Sequence, residues 1–306
     1  MEFWTSFIIL SLMVSVAGGV STWSYSGSNG PSHWKDMAHS KCGLSRQSPI
    51  NIDTQAVEDS NMLSAFRLYN FNKPLNTTIS NNGHTVTVRV NGGDLRVEGG
   101  GLSGGYKALQ FHFHWGHNDS RGSEHTLNGQ RFPMEMHVVC MQEGVSHISA
   151  ALEKSDGLAV LGFFFEVSDT NNMAVDSLVN RLPAVKNADS TSNFTDVKLG
   201  AILPSILTEY YRYDGSLTTP DCNEAVVWTV FRETIKISSI QLMKFRELLT
   251  SHMVDNEYEP LVDNYRPVQN IGDRKVYFRV GVSVGSQLSL SVLIPPLMIS
   301  VLLHLY

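Results

Sequence analysis

Six consecutive residues, Gln110-Phe111-His112-Phe113-His114-Trp115, carry the chemistry that shows most plainly in this chain. Successive side chains of an extended strand alternate between its two faces. Gln110, His112 and His114 then share one face, and Phe111, Phe113 and Trp115 share the other. The aromatic face suits a core. The opposite face offers two imidazoles one strand-step apart, with a carboxamide one step earlier that could fix a ring tautomer. Zinc suits this pattern, because its nitrogen ligands sit about 2.0–2.1 Å away and need further partners to orient them.

Two histidines do not complete a site, and three candidates exist for a third. His117 is nearest, but its odd offset turns it to the opposite face of a continuing strand. His125 lies in the polar stretch Gly122-Ser123-Glu124-His125-Thr126. His137 is better placed, in the apolar strand-like run Met134-Glu135-Met136-His137-Val138-Val139. Residues 118–131 are rich in Gly, Ser, Asn and charge, so they could return the chain for antiparallel pairing. Glu135 shares the face of His137 and stands behind it as Gln110 stands behind His112.

Beyond these ligands, Phe111-His112-Phe113-His114-Trp115-Gly116, Gly122-Ser123-Glu124-His125-Thr126, Glu135-Met136-His137 and Gly215-Ser216-Leu217-Thr218-Thr219-Pro220 together resemble the signature of the alpha-class carbonic anhydrases. The similarity runs from Trp23-Ser24-Tyr25 through Arg46-Gln47-Ser48-Pro49-Ile50-Asn51 to Val262-Asp263-Asn264-Tyr265-Arg266-Pro267. Within the family it is most similar to the secreted, membrane-anchored type-four enzymes. The resemblance implies one Zn2+ on His112, His114 and His137, and reversible hydration of carbon dioxide to bicarbonate and a proton by a zinc-bound hydroxide. It also implies Gln110, Glu135 and His125 as hydrogen-bonding partners behind the ligands. Thr218 and Glu124 would orient the nucleophile, and Thr219 would line the pocket beside them. Val139, Val160, Leu217, Val226 and Trp228 match the apolar wall for carbon dioxide, and Val139 also shares the face of His137. His84 matches the proton shuttle, for which an ordinary histidine pKa is well suited. Tyr25 and Asn82 match residues that order the connecting waters. Asp221 departs from the family pattern, in which a second proline is common after Pro220.

A site of this kind needs a large sheet to hold it. The chain has 306 residues, 17 % of them charged, with a net charge of −6 and a pI near 6.0. Nothing in that balance suits a nucleic-acid surface. Roughly 260 residues between the apolar ends fit one large β-rich domain. Runs such as His84-Thr85-Val86-Thr87-Val88-Arg89-Val90 and Val276-Tyr277-Phe278-Arg279-Val280 read as strands. The clearest helix candidate is Ser239 to Leu249, with Leu242, Phe245 and Leu249 on one face. Composition alone indicates a mainly β chain. The family resemblance implies a single domain, residues 20–280, on a large, mostly antiparallel twisted sheet with short peripheral helices.

The two ends read as targeting signals. Residues 1–18 hold an apolar run, Trp4 to Val16, followed by the small residues of Val16-Ala17-Gly18, as in a secretory signal peptide that lacks the basic start. From Leu288 to Tyr306 the chain is apolar and, except for His304, uncharged. Small residues precede it in Gly281-Val282-Ser283-Val284-Gly285-Ser286, the pattern of a lipid-anchor (GPI) signal over residues 284–306 with Ser283 as attachment residue and Gly285 or Ser286 as alternatives. Pro295-Pro296 inside the run and the lack of a following Lys or Arg count against a retained span. These features place the chain at the extracellular face of the plasma membrane. Export makes a disulfide the expected use of the three cysteines, Cys42, Cys140 and Cys222. The strand offset of Cys140 turns it from the metal face toward the core, as a buried free thiol. The bridge that remains, Cys42–Cys222, matches that of the type-four enzymes, and would brace the Thr218-Thr219-Pro220 loop. Asn76, Asn118 and Asn193 begin Asn-x-Ser/Thr triplets and are glycosylation candidates.

Overall fold

The computed structural model describes residues 23–281. The apolar ends, with the cleavage region and Ser283, lie outside the described residues. Twelve strands form one sheet. In chain order these are β1 (Glu58–Asp59), β2 (Phe66–Tyr69), β3 (Leu75–Asn81), β4 (Val86–Val90), β5 (Arg96–Gly99), β6 (Tyr106–Trp115), β7 (Met134–Gln142), β8 (Leu158–Ser168), β9 (Ser190–Val197), β10 (Tyr210–Gly215), β11 (Val226–Ser238) and β12 (Tyr277–Arg279). Their order across the sheet is β9-β3-β4-β6-β7-β8-β11-β10-β12-β1, with β5 paired to both β2 and β6. Only β8–β11 and β12–β1 run parallel. The chain is therefore mainly β on a mostly antiparallel sheet, as expected.

Alternation along β6 divides the molecule. Phe111, Phe113 and Trp115 are completely or almost completely buried, in the larger apolar cluster with Val138 and Cys140. Burying Phe111 and Phe113 contributes about 1.5–3 kcal/mol each. A second cluster contains Val139, Val160, Val226 and Trp228, and forms on the face that carries the histidines. The register joins the two histidine strands directly: His112 pairs with His137, and His114 with Glu135.

Between β6 and β7 the chain folds back over this face. Gly122 has φ +152°, and a Cβ there would collide with the Pro133 carbonyl. Only glycine lets the loop pass so close, and the next residues are Ser123, Glu124 and His125. Helices are few and short. The longest, α1 (Ser239–Arg246), starts from a capping box in which Ser238 Oγ accepts from Gln241 N and Gln241 Oε1 accepts from Ser238 N. Leu242 and Phe245 are buried as the periodicity requires. The helix stops short of Leu249, however, because the Leu249 N–H donates to the Lys186 carbonyl at 2.8 Å and opens a strand instead. No helix of the described residues is long and apolar enough to cross a membrane.

Candidate active site

The three histidines converge. One nitrogen of each ring, from His112, His114 and His137, lies within 4.8 Å of the others. The far nitrogen of every ring is held in place. His112 Nδ1 is 3.0 Å from Gln110 Oε1, His114 Nδ1 is 2.7 Å from the Asn264 carbonyl, and His137 Nε2 is 2.7 Å from Glu135 Oε1. Each ring thus donates its outer N–H and turns its other nitrogen, Nε2, Nε2 and Nδ1 respectively, inward as a lone pair. His114 Nε2 is buried with no hydrogen-bond partner among the described residues. Burial, reinforced by the neighbouring rings, drives His112 well below the ordinary histidine pKa and His114 down to about 3. Burial also lowers His137, against the opposing pull of Glu135. All three are therefore neutral imidazoles at neutral pH, the form that ligates a metal.

His125, Glu135 and His137 also approach closely enough to hold an ion. There Glu135 Oε1 lies 2.7 Å from both His125 Nδ1 and His137 Nε2, and His125 Nε2 is 2.6 Å from the Tyr213 hydroxyl. Those contacts are already complete hydrogen bonds, so an ion would have to displace them. The unpartnered nitrogen of His114 distinguishes the first triad from this cluster. Desolvation raises the Glu135 carboxyl, but the His125 and His137 rings outweigh it and hold the group well below the usual range. Its other oxygen accepts the Glu124 and His125 backbone N–H groups at 2.9 and 2.8 Å. His125 is thus a buried support for the loop and for Glu135. His117 is exposed and bonds Asp263, beyond the end of β6 at Trp115 and away from the triad.

Glu124 hangs over the triad. Its Oε1 accepts from the Arg266 backbone N–H at 2.8 Å, and its Oε2 sits 3.4 Å from His114 Nε2 without a hydrogen bond. Burial pushes its carboxyl well up, opposed first by the Arg266 N–H and then by the Thr218 hydroxyl. Thr218 is buried beside it. The apolar residues assigned to the wall assemble on neighbouring strands: Val160 pairs with Val139 on one side and with Trp228 on the other. Val226 and Leu217 join the same cluster, and the Trp228 ring lies 4.8 Å from that of His137. Thr219 is half-buried in the following turn, its carbonyl accepting the Cys222 N–H at 2.8 Å.

The disulfide Cys42–Cys222 is present, with Cα atoms 4.8 Å apart across 180 residues. In the chain-entropy picture so long a loop contributes on the order of 4–5 kcal/mol. It ties the Thr218–Thr219 turn to the N-terminal segment, where Lys41 N also donates to the Asp221 carbonyl. Cys140 is free and buried, and burial pushes its thiol up to about 12.

His84 stands apart. Its ring stacks on Trp23 at 3.8 Å between centroids and 11° between planes. Burial lowers it to about 4, which differs from the ordinary value expected of a surface histidine beside a turn. Asn82 Oδ1 accepts the His84 and Thr85 backbone N–H groups, fixing that turn. The Tyr25 hydroxyl is buried without a hydrogen-bond partner among the described residues.

A family model, eukaryotic-type carbonic anhydrase, matches residues 29–280. The chain belongs to that family. Carbonic anhydrase 15 of Mus musculus is 36 % identical over 301 residues, covering 94 % of this chain and 92 % of the relative. Carbonic anhydrase 4 of Oryctolagus cuniculus is 36 % identical over 286 residues, covering 90 % of each. The putative carbonic anhydrase 3 of Caenorhabditis elegans is 37 % identical over 252 residues, covering 80 % and 96 %. Membership makes this chain an enzyme of carbon dioxide hydration.

Strand alternation found Gln110 and Glu135 but missed Asn264, because its contribution to His114 is a backbone carbonyl. Arg266 was missed as well. Its buried guanidinium binds Gln47 Oε1 and the Ser48 and Cys42 carbonyls, while its backbone N–H holds Glu124. Both lie in the Val262–Pro267 segment of the family resemblance, which was the one signal available. Trp23 lies in the Trp23-Ser24-Tyr25 segment of the same resemblance, whereas Tyr213 had no local signal.

Proposed function

We propose that this carbonic anhydrase interconverts carbon dioxide and bicarbonate with one Zn2+ held by His112, His114 and His137, at the extracellular face of the plasma membrane. The observation that carries the metal assignment is the buried, unpartnered His114 Nε2 within a triad whose outer nitrogens are all engaged. Three neutral ligands leave a dication its full charge. Zinc there supplies a Lewis acid that makes a nucleophile of water at neutral pH, an effect for which this family is itself the reference case.

The chain's own residues supply the rest. Thr218, buried beside Glu124, is proposed to direct its hydroxyl hydrogen to that carboxyl, which would leave its oxygen to accept and so favour a proton-bearing group beside it. Val139, Val160, Leu217, Val226 and Trp228 form a dry wall where a small apolar substrate displaces water without loss of hydrogen bonds. Thr219 offers a polar contact to the product. A proton remains to be exported, and His84 is the titratable group proposed to carry it on a ring nitrogen, with Tyr25 and Asn82 along the path.

Export through a signal peptide in residues 1–18 and a lipid anchor replacing residues 284–306 at Ser283 fit the Cys42–Cys222 bridge, since disulfides persist in oxidising compartments. The test is stopped-flow carbon dioxide hydration with metal analysis, before and after chelation. One zinc per chain, with activity lost on chelation and restored by zinc, is the expected result. Full activity in metal-free protein would reject the mechanism. Separately, phosphatidylinositol-specific phospholipase C should release the activity from intact cells. Retention, while a known anchored protein is released, would reject the anchor.

A further inference from the structure

One end of the sheet is open. Strand β9 pairs with β3 on one side, and among the described residues nothing pairs with it on the other. Its sequence, Ser190-Thr191-Ser192-Asn193-Phe194-Thr195-Asp196-Val197, contains no proline and one charge. Such an edge is a template for pairing with another chain unless something blunts it. A register irregularity after Phe194 blunts its C-terminal end. From Ser190 to Phe194 the pairing is regular and the outer edge unguarded.

Asn193 stands in that regular stretch, opposite Thr78. It is exposed, and Thr195 follows it at the position an N-linked acceptor triplet requires. Its Oδ1 accepts from the Thr78 hydroxyl at 2.6 Å. That contact uses only the oxygen and leaves Nδ2, the atom that would bear a sugar, uncommitted. Asn118 differs, because its Nδ2 is 2.8 Å from His117 Nε2. Beside Asn193 lies an open concavity of about 420 Å³, lined by Asn76, Asn91, Arg181, Phe194 and Thr195 among others. That volume is within the range of small-molecule sites, about 300–1,000 Å³. Its donors and acceptors suit sugar hydroxyl and acetamido groups. The histidine triad is elsewhere, with β9 three places along the sheet from β6, so the concavity has no part in hydration.

We propose that Asn193 carries an N-linked glycan whose core sugar seats in this concavity, over the seam between β9 and β3, and whose further sugars screen the free edge of the sheet from a second strand. The proposal rests on the secretory route set out above. In the attachment step, C1 of the reducing-end sugar of a lipid-pyrophosphate-linked oligosaccharide bonds to Asn193 Nδ2. The bond from C1 to the pyrophosphate oxygen breaks, the lipid pyrophosphate leaves with that electron pair, and the carboxamide gives up one proton. The cell's transferase performs this step. Oδ1 is untouched, so the bond from Thr78 survives modification.

The test uses full-length protein made in animal cells and purified from the cell surface. Peptide-N-glycosidase F digestion in 18O-labelled water converts each occupied asparagine to labelled aspartate, which peptide mass spectrometry locates. Label at Asn193 is expected. Thr195→Ala abolishes the triplet and Thr195→Ser retains it. On concentration, Thr195→Ala should self-associate severalfold more than wild type by light scattering, Thr195→Ser should match wild type, and kcat/KM should be the same in all three. Surface protein with Asn193 bare, even if Asn76 is occupied, overturns the proposal. So does a Thr195→Ala variant that remains as monomeric as wild type. Protein held inside the cell with Asn76, Asn118 and Asn193 all bare rejects the secretory route and this proposal together.

Discussion

The histidine triad and His84 use the same side chain under opposite constraints. Each triad ring is locked by a hydrogen bond to a different element: Gln110 on β6, the Asn264 carbonyl, and Glu135 on β7. His84 has its backbone fixed by Asn82 and Asn264, while among the described residues its ring makes aromatic contacts alone, stacked on Trp23 and edge-on to Tyr25. Orientation is what a metal demands, since ligand nitrogens a few tenths of an ångström out of place lose coordination. Release is what a proton carrier demands, so a ring with fewer directional bonds suits that task. The difference shows that a histidine's role is set by what grips its second nitrogen.

The largest expected effect comes from breaking the locked side. His137→Ala removes one of three protein ligands, and the variant should lose nearly all bound zinc and with it carbon dioxide hydration. His125→Ala leaves the triad intact and removes one partner of Glu135, so it should keep zinc with weakened affinity, by about 10–100-fold. Metal analysis of these purified variants and of His112→Ala decides the matter. Full zinc in His137→Ala, with His125→Ala empty, would overturn the ligand assignment, and zinc kept by His112→Ala but lost from His125→Ala would move the ion to the His125–Glu135–His137 cluster.

That alternative cluster also marks the limit of what the sequence could reveal. Period-two alternation was sufficient to put His112 and His114 on one face of their strand, and Glu135, His137 and Val139 on one face of theirs, because strand geometry alone fixes which side chains share a side. It also turned His117 and Cys140 away. Alternation says nothing about distance between strands, so the pairing of His112 with His137 required the register seen in the sheet. Contacts made by backbone groups, as from Asn264 to His114 and from Arg266 to Glu124, leave no trace in side-chain pattern. The early end of α1 had the same origin: a tertiary hydrogen bond to Leu249 overrode a periodic run. Burial of His84 depends on Trp23, which is 61 residues away in the chain and invisible to any local rule.

A smaller effect should follow from removing His84. His84→Ala should lower kcat in weak buffer by roughly 10–100-fold, near or below the usual contribution of about 10²–10⁴ for positioned proton transfer. Its kcat/KM should stay nearly constant, because the proton leaves after carbon dioxide is consumed. Imidazole buffer should restore part of the rate. Stopped-flow kinetics across buffer concentrations test this, and a proportional fall in both parameters that buffer does not relieve would remove His84 from the pathway.

The smallest effect sharpens the comparison by altering the stack alone. Desolvation holds His84 at about 4, below the ordinary 6.5. That gap corresponds to on the order of 3 kcal/mol favouring the neutral ring. Attraction of an imidazolium to the Trp23 face would oppose it, by about 0.5–1 kcal/mol at an accessible site, so desolvation prevails. Between pH 4 and 6.5 the unfolded chain binds a proton at His84 that the folded chain refuses. The stabilisation is therefore complete above 6.5 and is lost as pH falls through about 4. Trp23→Ala exposes the ring and should raise its pKa toward 6.5, flattening the dependence of stability on pH in that window. A ring titrating nearer neutrality is also the better proton carrier. The variant should therefore raise kcat modestly in weak buffer at pH 7 and leave kcat/KM and zinc content alone. NMR titration of the His84 ring in both proteins, with urea unfolding at pH 5 and pH 8, measures each part. A wild-type His84 that already titrates near 6.5, unmoved by Trp23→Ala, would show that the stack does not govern its protonation.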